Sequence, residues 1–107
     1  MFSIFSKKSM DELAGKNFWA WFEEQEERII NCISNHDSAF VLAIDEQLKP
    51  VFPYFKNELE FQLGYNDGKG EFFFFHCGNK NLIKDADTLA QMMPKSISEH
   101  WTFIAEK

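Results

Sequence analysis

The segment Glu71-Phe72-Phe73-Phe74-Phe75-His76-Cys77 constrains the fold more than any other stretch of the chain. Four consecutive phenylalanines leave a strand no polar side, so both of its faces must be covered or must meet something. Such a strand belongs in the middle of a sheet, where it organises the core. The preceding residues supply a partner for it. From about Glu58, Leu59, Phe61, Leu63 and Tyr65 alternate with Glu58, Glu60 and Gln62, the period of a half-buried strand. Asn66-Asp67-Gly68-Lys69-Gly70 then reads as a hairpin connection.

Hairpin register decides which phenylalanines face away from the helices. If residues 66–70 all form the loop, Tyr65 faces Glu71, and Phe72, Phe74 and His76 share a face with Glu58, Glu60 and Gln62. If Asp67-Gly68 is a two-residue turn, parity shifts by one and Phe73 and Phe75 occupy that face. Either register sets two phenylalanines beside carboxylates, the composition of a protein-binding patch. The competing reading covers this face with the third helix or the N-terminal arm. The candidate partner-binding residues are Glu58, Glu60, Tyr65, Asp67, Glu71, Phe72 and Phe74.

The rest of the chain reads as helices and one more strand. A loosely attached arm is expected over residues 1–10, with a single domain over 11–107. A first helix is expected from Asn17, a good cap residue, to about Ser34, with Phe18, Phe22, Ile29 and Ile33 on one side. Glu23, Glu24, Glu26 and Glu27 are expected mostly to face away, near the end where the helix dipole favours negative charge. After the polar break 34–38, Asp37 or Ser38 caps a second helix that runs to about Lys49, and Pro50 and Pro53 stop it. A third helix covers about Asp85 to Met93 and ends at Pro94. A last strand, about His100 to Ala105, alternates Trp101, Phe103 and Ala105 against Thr102 and Ile104. The expected fold is α+β in the order ααββαβ, an antiparallel hairpin plus a third strand with helices on one face.

At 107 residues the chain is one domain, able to bury roughly two thirds of its unfolded-state surface without a metal or disulfide. Cys32 and Cys77 allow at most one bridge and sit in no context that calls for one, so a reduced, cytoplasmic chain is expected. The opening Met1-Phe2-Ser3-Ile4-Phe5-Ser6-Lys7-Lys8 places its charge after the apolar residues, the reverse of a secretory signal. No segment has the roughly twenty apolar residues of a membrane span. A formal charge of −6 argues against nucleic-acid binding and suits a partner with a basic surface, or plain solubility.

Catalytic constellations are poorly matched. Cys32-x-x-x-His36 and His76-Cys77 offer ligands that zinc can use, but at spacings unlike those of structural zinc sites. Cys77 with His36 or His100 would need a spatial adjacency the sequence does not give, and Cys77 reads as a buried thiol in a central strand. The glycines from Gly64 to Gly70 lack the ending and the following helix of a phosphate loop. No catalytic, cofactor-binding or metal-binding set is therefore assigned, and the chain is expected not to be an enzyme.

The aromatic landmarks resemble a group of small, uncharacterised bacterial α+β proteins. The resemblance rests on Phe18-Trp19-x-Trp21-Phe22, Leu48, Glu58-Leu59-Glu60-Phe61, Met93-Pro94 and Trp101-x-Phe103, which span most of the chain. These are packing residues and imply a fold rather than an activity. Size, acidity and the lack of catalytic residues are similar to the immunity proteins of bacterial toxin–immunity pairs, including those of contact-dependent growth inhibition. That likeness implies a cytoplasmic antidote that binds one cognate toxin domain, one-to-one, often a nuclease with a basic cleft. The alternatives are a ligand-binding or enzymatic domain using His76, Cys77 or His100, and a module that assembles with itself.

Overall fold

In the computed structural model, residues 9–106 are described. The order is α1 (Glu12–Ser34), α2 (Ala39–Leu48), a 3-10 turn (Lys49–Val51), β1 (Glu60–Asn66), β2 (Lys69–Phe75), α3 (Lys80–Gln91), α4 (Lys95–Ser98) and β3 (Trp101–Glu106). The ααββαβ order holds, with one short helix added before the last strand. Most of the arm expected over residues 1–10 lies outside the described residues.

The phenylalanine strand is central, as its composition requires. The sheet order is β1-β2-β3, with β1 antiparallel and β3 parallel to β2. The hairpin closes through two residues, Asp67 and Gly68, both at positive φ (53° and 75°). That is the primed turn whose twist matches a tight hairpin. Asn66 therefore pairs with Lys69, Leu63 with Phe72, and Phe61 with Phe74. Of the two registers open to the sequence, the two-residue turn is the one formed.

Alternation then sends Phe72 and Phe74 inward, where they are 1% and 0% exposed. Phe72 meets the rings of Phe18 and Phe22 on α1, each at 6.2 Å, and Phe103 of β3 at 5.0 Å. Phe74 stacks on Phe52 at 5.3 Å. Trp19 turns its edge to Phe103 at 5.9 Å and donates its indole N–H to the Leu89 carbonyl at 2.8 Å, tying α1 to α3. One buried cluster thus joins the helices to one face of the sheet.

The helix starts differ from the sequence reading. α1 begins five residues before Asn17 because Asp11 caps it, its Oδ1 accepting from the Ala14 N–H at 3.1 Å. α3 begins at Lys80 because Asn79 Oδ1 accepts from the N–H groups of Asn81 (2.9 Å) and Leu82 (3.1 Å). α3 ends at Gln91 with Met92 as its cap, before the expected stop, and Pro94 instead opens the next helix as the cap residue of α4.

Two members of the acidic run are structural. Glu26 Oε2 accepts from the indole N–H of Trp101 at 2.9 Å, and Glu23 accepts from the hydroxyl of Ser96. The expectation that these carboxylates mostly face away is corrected for both, since they fasten α1 to α4 and β3. Asp85, 3% exposed, takes the hydroxyl of Tyr54 at 2.7 Å. Burial, and then the hydrogen bond to Asp85, hold the Tyr54 phenol above its ordinary range.

Candidate partner-binding face

The face of the sheet turned away from α1 is assembled from alternate residues of all three strands. Cross-strand partners share a face, so the two registers fix its rows. Phe75 lies between Glu60 and Glu106, Phe73 between Gln62 and Ile104, and Glu71 between Gly64 and Thr102. Phe73, Phe75 and Ile104 are half-buried and stand outside the core cluster and its packed neighbours. Glu60, Gln62, Glu71, Thr102 and Glu106 are exposed around them. The arrangement is an apolar centre with a carboxylate rim, and Lys69 stands at the turn end on the same side of the sheet.

Of the residues proposed from sequence, Glu60 and Glu71 lie on this face. Asp67 is exposed at the tip of the turn, and Glu58 is exposed just before β1. Three are corrected. Phe72 and Phe74 are core residues, and Tyr65 points inward with its ring 5.6 Å from that of Trp101. The two-residue turn causes the corrections of Phe72 and Phe74, because it shifts the parity of β2 by one relative to the five-residue loop; Tyr65 shares the inward parity of Phe61 and Leu63 in either register. Phe73 and Phe75 replace Phe72 and Phe74 on the open face. Ile104 and Glu106 were absent from the candidate set. Their signal was the demand of the phenylalanine strand for a second neighbour, which only the last strand could supply.

The end of the hairpin opposite the turn bears a hollow of about 510 Å³ lined by Phe55, Glu58, Glu60, His76, Cys77 and Asn79 among others. β2 stops at Phe75, so Cys77 is not a buried strand residue. It is exposed, in a turn at φ 52°. His76 Nδ1 accepts from the Gly78 N–H at 3.0 Å, which leaves Nε2 to carry the proton of the neutral ring. His100 belongs to the other end of the sheet, where its carbonyl accepts from Gly70 N at 2.7 Å. Cys77 and His100 are thus separated by the length of β2, roughly 20 Å at the rise of a strand. Among the described residues, no group of three His, Cys, Asp or Glu side chains is placed to hold a metal ion.

No protein family, curated protein or solved structure matches this chain. Its function must be argued from its own surface. Among the described residues, no helix is long and apolar enough to cross a membrane.

Proposed function

We propose that this chain is a protein-binding inhibitor, an immunity-type antidote that occludes the basic active site of a cognate toxin domain such as a nuclease. The observation that supports this reading is the open sheet face, with Phe73, Phe75 and Ile104 at its centre and Glu60, Glu71 and Glu106 around them. Carboxylates held on a rigid sheet stand in for the phosphates of a nucleic-acid substrate opposite the toxin's cations. The aromatic centre supplies the desolvated anchor, where binding energy concentrates. The net charge of −6 speeds encounter with a basic partner, and apolar packing slows release.

The test is binding and protection against the protein encoded beside this one, above all the C-terminal domain of a large upstream partner. The reading expects a stable one-to-one complex that suppresses toxicity. Glu60→Lys with Glu71→Lys should cut the association rate and its salt dependence, whereas Phe75→Ala should mainly raise the dissociation rate. A neighbour that does not bind, or binds without being neutralised, removes the antidote reading.

A second reading follows from the exposed Cys77 beside His76 in the hollow: a small site using that thiol. Alkylation of the folded protein tests it. Rapid modification at neutral pH favours it, and a rate no faster than that of a free thiol removes it.

A further inference from the structure

β1 is an edge strand of the sheet, and among the described residues its backbone leaves a defined row of groups without partners. In a two-residue hairpin the residues flanking the turn, Asn66 and Lys69, form a bonded pair, and bonded pairs then recur at every second residue. Glu60, Gln62, Gly64 and Asn66 therefore bond to β2, while the N–H and C=O groups of Phe61, Leu63 and Tyr65 point away from it. The bonds on the other side of β2 agree with this parity: Gly70 N reaches the His100 carbonyl at 2.7 Å, and His76 N reaches that of Glu106 at 2.8 Å. Among the described residues, nothing bonds to the outward groups of Phe61, Leu63 and Tyr65.

Several of the usual protections of an edge are missing among the described residues. The strand Glu60-Phe61-Gln62-Leu63-Gly64-Tyr65-Asn66 has no lysine and no proline, and its register with β2 runs without a bulge. Beside it, Val41 and Leu42 of α2 are 41% and 66% exposed and line a hollow shared with Leu59 and Phe61. The edge and this apolar strip together form a surface that accepts a strand.

We propose that its occupant is a second copy of this chain, with the two β1 edges paired antiparallel about a twofold axis at Leu63 to make one six-stranded sheet. The strand is complementary to itself in that register. Leu63 meets Leu63 of the second copy, and Phe61 meets Tyr65, so all three outward residues exchange hydrogen bonds and apolar side chains face one another. On the opposite side Glu60 meets Asn66, and Gln62 meets Gly64. No carboxylate within the strand stands opposite another, which matters for two copies that each carry a charge of −6. The pairing leaves Phe73, Phe75 and Ile104 uncovered, so it does not depend on the partner-binding function proposed above.

A double variant, Glu60→Cys with Asn66→Cys, tests the register in a background where Cys32 and Cys77 are replaced by serine. Both new positions are exposed. Within one strand they are roughly 20 Å apart, too far for a bridge inside one chain. Across the twofold axis they form a non-hydrogen-bonded pair with Cα atoms about 4.5 Å apart, within disulfide range. Mild oxidation should give a covalent dimer held by two bridges, and Asn66→Cys alone should give none. Sedimentation equilibrium of the unmodified chain should show a mass rising from 12.6 kDa towards twice that value across the micromolar range. Leu63→Pro, which removes an outward N–H but no bond to β2, should hold it at the monomer mass. A chain that stays monomeric throughout, or a double variant that cross-links no faster than Asn66→Cys alone, overturns the proposal and leaves the edge to a strand from another protein.

Discussion

Gly70→Ala should be among the most damaging single-methyl changes in this fold. Gly70 lies directly across from Trp101 in the parallel pair, and the indole ring lies over it. An alanine Cβ would fall 2.4 Å from Cδ2 and Cε3 of that ring and 2.6 Å from Cζ3. Carbon atoms settle at about 3.5–4.0 Å, so ring or strand must move by about 1 Å or more. Neither is free to move. Trp101 is 2% exposed, stands edge-on to Phe22 at 5.0 Å and gives its N–H to Glu26. The strand is bonded on both sides. Overpacking of this kind costs about 1–3 kcal/mol, and disturbing the bond to Glu26 adds about 1 kcal/mol. The expected loss is thus about 3 kcal/mol, which at a urea slope of about 1.5 kcal/mol/M lowers the midpoint by about 2 M. Tryptophan fluorescence during urea unfolding measures it. Gly64→Ala is the control: nothing lies within 4 Å of a Cβ there, so it should be neutral or stabilising. A Gly70→Ala variant within about 0.5 kcal/mol of the parent, the range of an ordinary surface change, would refute the argument.

Glu26→Ala should cost about 1–2 kcal/mol by leaving the buried indole N–H of Trp101 unpaired, while Glu26→Gln, which keeps an acceptor, recovers most of it; thermal unfolding compares the two. Tyr54→Phe should destabilise the fold by about 1–3 kcal/mol, because buried Asp85 loses its hydroxyl partner. In the parent, the raised phenol means that folded and unfolded chains both keep the Tyr54 proton up to the ordinary tyrosine range. Above it the unfolded chain releases that proton first, so stability should fall as pH rises, and fall less steeply in Tyr54→Phe. Urea midpoints taken across alkaline pH measure this, and equal slopes in parent and variant would remove the assignment. Asn79→Ala should lower stability by about 1 kcal/mol through the lost cap of α3, and Asn79→Asp should restore it, as read from helical circular dichroism on heating.

The order of elements could be read from periodicity because each long element buries one side of itself. The central place of β2 followed from four phenylalanines alone. Hairpin parity was harder: Asn66-Asp67-Gly68-Lys69-Gly70 contains the residues of both a tight turn and a longer loop. The choice between them moved Phe72 and Phe74 from the candidate face to the core. The start of α1 was missed because Asp11 and Asn17 are both competent caps, and the first works only where the backbone at that point is held, as it is by the Asp11 N–H to the Val51 carbonyl at 2.9 Å. Glu23 and Glu26 looked like solvent-facing carboxylates since their partners, Ser96 and Trp101, stand 73 and 75 residues away. No local pattern carries contacts of that range. The left-handed turn at Cys77 was equally invisible, as it depends on where β2 stops.

The parallel pairing of β3 has a consequence for synthesis. β2 is made before its second neighbour, and α3 and α4 come between them in the chain. At roughly 5–20 residues per second, the stretch from Phe75 to Trp101 takes about one to five seconds to translate. Until β3 docks, the hairpin shows one raw edge along the phenylalanine strand, with Phe72 and Phe74 still lacking Phe103 as a neighbour. The docking of β3 is therefore the event that closes that edge.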